Sequence, residues 1–186
     1  SGASMKWLKD QLGIIKNVND SQSLAASIKD NNGVYFVPAF TGLGAPYWRS
    51  DARGTIVGLT GSSGKAEIVR AALEAVAYQS VDLFDAMASD GQKPIIVKVD
   101  GAMSNNDWLI QFLSNISKTK IEKSYNSETT SQGAAILSSI GSGFLPSLKE
   151  SSKFWKLNKS YNPKMQSAEI NKYRNGWNKA IKQTMM

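Results

Sequence analysis

The 186-residue chain predicts an α/β domain in which helices alternate with short buried strands. Three observations carry this prediction. The unbroken apolar run Val34–Val37 ends at Pro38, which is typical of a buried strand. A second short strand, Thr55–Leu59, precedes a long helix that reaches about Ala88. A third strand, Ile95–Val99, runs through a tight turn into another helix, and the repeated strand-to-helix order is what an α/β fold requires.

The N-terminal part of the chain predicts two short helices and one unusual loop. The helices are expected over Ser4–Leu12 and Ser21–Lys29, because their apolar residues recur every three or four positions. After the first strand, the loop Ala39–Gly54 is too rich in glycine and proline to be regular. Its Tyr47 and Trp48 offer apolar surface, so we expect the loop to be ordered and packed.

The long helix after the second strand is expected to begin behind Ser62 or Ser63, either of which can cap it. Apolar side chains follow one side of this helix and charged ones the other, which predicts one buried and one solvent-facing side. The predicted buried stripe consists of Val69, Leu73, Val76, Ser80, Leu83 and Met87. The predicted solvent-facing side carries Lys65, Glu67, Arg70, Glu74, Asp82 and Asp85.

The C-terminal part predicts a strand over Lys120–Lys123 and two helices. The first helix, Thr130–Ser139, contains Gly133 and two alanines, which we expect to allow close approach to a neighbour. The second, Ser167–Lys182, presents apolar residues at helical spacing. Lysines accumulate over this third of the chain. They are interpreted as a solvated face, because no nucleic-acid-binding motif accompanies them.

Composition excludes several classes of protein. With 41% hydrophobic residues and a net charge of +7, the chain falls outside the class that stays unfolded. It has no cysteine and no histidine, which excludes Cys/His zinc sites, disulfide frameworks and imidazole-dependent catalysis. It has no apolar run of about 18 residues and no signal-peptide pattern at its start. We therefore expect a cytoplasmic protein that interacts with neither membranes nor nucleic acid.

Two glycine-rich segments fail as phosphate-binding motifs. Gly61–Lys65 has Leu59 where a phosphate loop needs glycine and Ala66 where it needs serine or threonine. Gly42 and Gly44 begin a dinucleotide-binding pattern, but Tyr47 replaces its last glycine. Acidic residues show no spacing typical of a metal site or a catalytic pair, and we expect them at the surface or at helix caps. These are Asp51, Glu67, Glu74, Asp82, Asp85, Asp100, Asp107 and Glu128.

The turn Asp100–Asn106 (DGAMSNN) is the best local candidate for a binding site. It joins the carboxyl end of a buried strand to a helix, where α/β sheets bind ligands and where free backbone N–H groups favour phosphate. Asn106 can either cap the following helix or contact a ligand. The sequence pattern leaves these alternatives open.

The chain closely resembles the C-terminal domain of the glycerol kinases in the FGGY carbohydrate kinase family. The string AFTGLGAPYW at positions 39–48 is the most specific, and it points to this branch rather than to the xylulose or gluconate kinases. The resembling segments are Gly2–Asp10, Asn32–Leu59, Arg70–Gln79, Val99–Phe112, Glu128–Ala135, Tyr161–Pro163 and Tyr173–Ala180. The resemblance therefore covers essentially the whole chain.

The resemblance implies an actin-like ATPase (ribonuclease H-like) domain that lacks the first strands of that fold. It implies that ATP, with Mg²⁺, lies between two such domains and passes its γ-phosphate to glycerol. The positions that match the family's nucleotide contacts are Gly2, Lys6, Ala102 and Asn106. The family usually has glutamine at Lys6 and glycine at Ala102. A Cβ at 102 either needs a negative φ or crowds the ligand.

The resemblance also implies what this chain does not encode. The family's N-terminal domain, with its polyol contacts, catalytic aspartate and expected metal ligands, has no counterpart here, so no catalytic residue is assigned. We expect residues 1–186 to be inactive alone, as either a fragment or a split-gene product. The alternatives are another FGGY sugar or polyol kinase, or a non-catalytic scaffold that uses the basic C-terminal face. Homo-oligomerisation stays open.

Overall fold

A computed structural model describes residues 2–186 of the chain. Among these residues, no helix is long and apolar enough to cross a membrane. The helices are α1 (Gly2–Asp10), α2 (Asp20–Ala26), α3 (Lys65–Ser89), α4 (Asp107–Ser117), α5 (Thr129–Gly141) and α6 (Ser167–Thr184). The strands are β1 (Tyr35–Val37), β2 (Thr55–Val57), β3 (Ile96–Val99), β4 (Lys120–Ser124) and β5 (Leu157–Tyr161), and 3₁₀ turns span Ala102–Asn105 and Leu148–Phe154. Each predicted element is present, with bounds shifted by a few residues.

Helix α3 is the centre of the fold. It packs against α1, α2 and α4 and against the antiparallel ribbon of β1 and β2, in which Tyr35 pairs with Val57. Helix α6 covers the same ribbon from outside. It comes close because Gly176 faces the ring of Tyr35, whose hydroxyl would lie 2.0 Å from a Cβ at position 176. The core is therefore assembled around one long helix.

The buried side of α3 differs from the predicted stripe. Val69 and Leu73 are fully buried as expected, but Leu83 and Met87 are 43% and 39% exposed. Four charged side chains that were predicted to face solvent or cap helices are instead buried: Glu67, Arg70, Glu74 and Asp82. The buried stripe is wrong in the second half of the helix, where Leu83 and Met87 are exposed. The solvent-facing side is wrong mainly in the first half, which neighbours surround on all sides. There, the alanines around positions 71–77 let those neighbours approach closely.

The predicted serine cap of α3 is also wrong. Gly64 occupies the capping position, and its N–H donates to Glu67 Oε2 at 2.9 Å. Ser63 Oγ is already engaged, because it accepts from the Thr60 N–H at 3.0 Å in the preceding turn. The local turn therefore takes the hydroxyl that the sequence pattern had assigned to the helix.

A three-stranded sheet lies on the far side of α4. Strands β3 and β4 are parallel, with Ile96 opposite Lys120, and β5 is antiparallel to β4. Helix α4 packs its apolar face between this sheet and α3. In contrast, no described residue of α5 is buried, and the space beside Gly133 is open. Within the described residues, the close approach predicted for Gly133 does not occur.

The loop Ala39–Gly54 is packed at one aromatic residue and exposed at the other. The Tyr47 hydroxyl donates to Asp82 Oδ2 at 2.7 Å. Trp48 is 77% exposed, and its φ of 51° places it in a turn closed by the pairing of Leu43 with Arg49. The expected packing holds for Tyr47 and fails for Trp48, because that turn directs the indole outward.

Candidate functional site

The turn after β3 has a backbone that accommodates a side chain at position 102. Gly101 adopts a φ of 78°, a conformation that favours glycine. Ala102 follows it as the first residue of the 3₁₀ turn and is not among the residues with positive φ. Of the two outcomes expected for Ala102, the backbone therefore adopts the one with a negative φ. Its methyl group is exposed.

A cleft of about 340 Å³ lies between this turn and α2. Ala102 and Asn106 line one side of it, so the structure brings these two predicted site residues together. The opposite wall is formed by α2 and the residues just before it. The lining side chains include apolar Val18, Ala26 and Met103 and polar Asn19, Ser21 and Gln22. None of the lining residues carries a charge.

Asn106 is a helix cap. Its Oδ1 accepts from the Leu109 N–H at 2.9 Å, which closes the first turn of α4. Its Nδ2 donates to Ser21 Oγ at 3.4 Å. Of the two readings left open by the sequence, the capping role is therefore realised. Asn106 thus lines the cleft while its side-chain oxygen caps α4.

Gln22 caps the same helix from α2, which sequence reasoning did not anticipate. Its Oε1 accepts from the Asp107 N–H at 2.8 Å. The two residues are separated by 85 positions, so no local pattern could have indicated the contact. Together, Gln22 and Asn106 engage two of the N–H groups at the start of α4. These groups were expected to be free for phosphate.

The other two predicted contacts lie on α1. Gly2 and Lys6 are both exposed, and Lys6 lines a separate pocket of about 290 Å³ beside Trp7 and Phe40. Helix α1 packs against α3 rather than beside the 3₁₀ turn. The structure therefore does not bring Gly2 and Lys6 into the cleft that holds Ala102 and Asn106. The role of all four residues as nucleotide contacts stays a prediction.

A buried ion pair lies behind the cleft. Arg70 Nε donates to Glu74 Oε1 at 2.8 Å, and the Glu74 carboxylate also accepts from Tyr78 and from Asn31, at 2.9 and 2.8 Å. Burial raises the pKa of the Glu74 carboxyl to about 7, against the lowering effect of these three donors. In the sequence, this ion pair is indicated only by the four-residue spacing of Arg70 and Glu74 on one predicted helix.

A second carboxylate, Asp82, anchors the aromatic loop. Its oxygens accept from Tyr47, from the Trp177 indole N–H at 2.7 Å and from Arg174 at 3.0 Å. Burial and the adjacent Asp82 carboxylate raise the pKa of Tyr47. Asp82 therefore joins α3, α6 and the loop Ala39–Gly54. Asp82 does not line the cleft.

The described residues do not form a metal centre. In the range 2–186, no group of three or more acidic side chains is placed to hold a metal ion. Asp107, which follows the lining residue Asn106, is bound by Lys159 Nζ at 2.5 Å and by the Tyr161 hydroxyl at 2.6 Å. These partners lower the pKa of Asp107 and keep it in a structural ion pair. The described residues therefore form no cluster of carboxylates that could enclose Mg²⁺ by itself.

The uncharged cleft lies at the carboxyl end of a parallel strand, which is where α/β domains as a class bind their ligands. Comparison with known proteins identifies the family. Residues 1–142 match the C-terminal domain of the FGGY family of carbohydrate kinases, and the chain belongs to this family. The family predicted from the sequence is confirmed.

Individual relatives show the same pattern. The glycerol kinase of Coxiella burnetii is 45% identical over 185 residues, which cover 100% of this chain and 37% of that protein. The crystal structure of Plasmodium falciparum glycerol kinase with ADP is 36% identical, with a TM-score of 0.88, over 100% of this chain and 37% of its own. The chain therefore spans little more than a third of the length of these relatives.

More distant structures support the fold alone. The ligand-bound xylulose kinase from Lactobacillus acidophilus has a TM-score of 0.82 at 22% identity, covering 98% of this chain and 37% of its own. The predicted fold class, part of an actin-like ATPase domain, is confirmed by these likenesses.

Proposed function

We propose that the chain is the nucleotide-binding portion of an ATP-dependent glycerol kinase, which transfers the γ-phosphate of ATP to glycerol and yields glycerol 3-phosphate. The observation that carries the proposal is the 45% identity to a glycerol kinase along the whole chain. The solved xylulose kinase is only 22% identical over nearly the same residues, so another FGGY sugar kinase is the weaker alternative. A cytoplasmic location, where ATP is available, is part of the proposal.

The cleft beside Ala102 suits the nucleoside end of ATP better than its phosphates. Its lining residues are uncharged, and it combines apolar side chains with amide and hydroxyl groups. Such a lining matches a purine base and a ribose, which need apolar contact and a few oriented hydrogen bonds. The N–H groups of Asp107 and Leu109, which could hold a phosphate, are already engaged. We therefore propose that the base and ribose of ATP occupy this cleft and that its phosphates lie outside it.

The chain's contribution to catalysis is positional. Phosphoryl transfer depends on in-line alignment and charge neutralisation, and a rigid grip on the nucleoside aligns the γ-phosphate. We propose that the Mg²⁺ accompanying ATP, the glycerol contacts and the catalytic base come from polypeptide outside residues 1–186. This is supported by the described residues, among which no three or more acidic side chains are grouped to hold a metal ion.

We propose that residues 1–186 act as the C-terminal nucleotide-binding domain of the kinase, covered by further polypeptide. Within the described residues, β3 is an edge strand of its sheet, and its Ile96 is half-exposed. On α5, Leu137 is 61% exposed, and Phe144 just beyond it is more exposed still. Apolar surfaces of this kind fit burial against the first strands of the same domain.

Replacing Asn106 tests the proposed nucleotide site. Asn106→Ser retains a neutral capping oxygen but removes the amide, so we expect an unchanged melting temperature and an ATP dissociation constant raised about fivefold, the worth of one hydrogen bond. Asn106→Ala loses both functions, so its melting temperature also falls. Ala102→Gly removes a methyl group from the cleft, so ATP binds equally well or more tightly. Titration calorimetry with ATP measures all three affinities.

The matched pair Asn106→Ser and Asn106→Ala separates capping from binding. If Asn106→Ala lowers the melting temperature while both variants bind ATP as tightly as the unsubstituted chain, Asn106 is only a cap. The assignment of this residue to the nucleotide site is then wrong.

The chain alone is expected to show no glycerol kinase activity. The match to the relatives covers about 37% of their length, and the proposed base and glycerol contacts lie in the remainder. A coupled assay of ADP release with ATP, Mg²⁺ and glycerol should stay at the rate without protein. Turnover above that rate would show that residues 1–186 contain the catalytic groups.

A further inference from the structure

The Arg70 side chain lies at the junction of four helices, behind the wall of the cleft. It projects from α3 and is 5% exposed. Its Nη2 donates to the Tyr173 hydroxyl of α6 at 3.1 Å, and its guanidinium lies 5.0 Å from the centre of the Trp108 ring on α4. Its Nη1 is directed toward α2. One side chain therefore contacts every helix that borders or supports the cleft.

The contact with α2 is made at the end of that helix. Arg70 Nη1 donates to the carbonyl oxygens of Ala25 and Ile28, at 3.3 and 2.5 Å. Ala25 lies in the last turn of α2, and Ile28 lies two residues beyond its end. The helix has only seven residues, and so short a helix is not stable alone. A cation at this end also interacts favourably with the helix dipole. Arg70 therefore anchors α2 in two ways. It donates hydrogen bonds to carbonyl oxygens at the end of the helix, and its positive charge complements the negative end of the helix dipole.

The start of α2 carries the residues that meet the cleft. Ser21 Oγ accepts from Asn106, and Gln22 caps α4 at Asp107. A shift of α2 would therefore move Ser21 and Gln22 away from Asn106 and Asp107, which directly follow the turn that contains Ala102. Arg70 anchors one end of α2, and the other end contacts the residues of the cleft. The placement of the cleft wall therefore depends on the hydrogen bonds of Arg70.

Glu74 and Asn31 hold the anchor itself. Glu74 Oε1 accepts from Arg70 Nε, and its Oε2 accepts from Asn31 Nδ2. Asn31 Oδ1 in turn accepts from the Gly33 N–H at 3.0 Å, which fixes the turn that leads from α2 into β1. The guanidinium plane is thus held by a carboxylate on its own helix, and its orientation does not depend on ligand.

We propose that Arg70 is a positioning residue that fixes α2 as the wall of the cleft and thereby sets nucleotide affinity. The second half of this statement rests on the proposed function. Lysine carries the same charge but cannot bond two carbonyls, a carboxylate and a phenol at once. Arg70→Lys is therefore the diagnostic change.

Arg174→Lys is the matched control. Arg174 also forks between two acceptors, Asp82 at 3.0 Å and Asp85 at 2.7 Å, but these hydrogen bonds join α6 to α3 rather than to α2. Hydrogen exchange of residues 20–26 is measured in both variants, together with the dissociation constant for ATP. In Arg70→Lys, we expect exchange of α2 to rise about tenfold, the effect of losing one hydrogen bond to a charged group. We expect ATP binding to weaken several-fold, and neither change in Arg174→Lys.

The outcomes separate the two halves of the proposal. Equal exchange of α2 in the two lysine variants overturns the positioning role. Faster exchange of α2 with unchanged ATP affinity overturns its link to the site. Failure of the unsubstituted chain to bind ATP overturns the proposed nucleotide function, while the exchange result still decides the positioning role. Should Arg70→Lys not fold, Tyr173→Phe removes only the phenol oxygen, and a rise in exchange confined to α2 supports the anchor.

Discussion

Leu73→Asp is expected to prevent folding of the domain. Leu73 lies at the middle of the core face of α3 and is fully buried. The aspartate would leave a cavity and an unpaired carboxylate in an apolar environment, and an ion there costs several kcal/mol even after its pKa shifts. A single domain is stable by only about 5–15 kcal/mol. Circular dichroism on the purified variant should show no cooperative thermal transition.

Leu83→Asp is the matched control for that change. Leu83 belongs to the same helix and to the same apolar stripe in the sequence, but it is 43% exposed. The same substitution there should alter the unfolding free energy by less than about 1 kcal/mol, as is usual for surface positions. If both variants melt alike, or if Leu73→Asp melts like the unsubstituted chain, the assigned buried side of α3 is incorrect.

Glu74→Leu is expected to destabilise the domain by about 3–5 kcal/mol, because it leaves the buried Arg70 guanidinium without its counter-charge. Tyr78 and Asn31 would also lose their acceptor. Denaturant unfolding followed by tryptophan fluorescence measures the loss. A smaller change, within about 1 kcal/mol, would mean that the pair contributes little to the core.

The double variant Arg70→Met/Glu74→Leu tests the coupling. Replacing both charges with apolar groups removes the uncompensated ion, so this variant should be more stable than Glu74→Leu alone. The coupling energy from the complete cycle should exceed about 1 kcal/mol, since the residues are in direct contact. Additive losses would show that the two side chains act independently.

The sequence by itself determined the class of fold, the order of its elements and the family. Periodicity and turn residues indicate the helices and strands because these signals are local, and they placed α4 directly behind the DGAMSNN turn. They also indicated that Asn106 could cap α4, which is the role it has. The family's specific strings supplied the assignment of the candidate nucleotide contacts.

Only the tertiary structure decided which of several equivalent residues are buried and which make contact. Leu73 and Leu83 are alike in sequence pattern, but neighbouring helices cover one and leave the other exposed. Arg70 and Glu74 are polar in sequence and lie in the core, since each compensates the charge of the other there. Hydrophobic periodicity shows which side of a helix is more apolar. Whether a side chain on that helix is buried depends on how many neighbouring elements pack around it. Those elements are brought together by contacts between distant parts of the chain, such as that between Gln22 and Asp107.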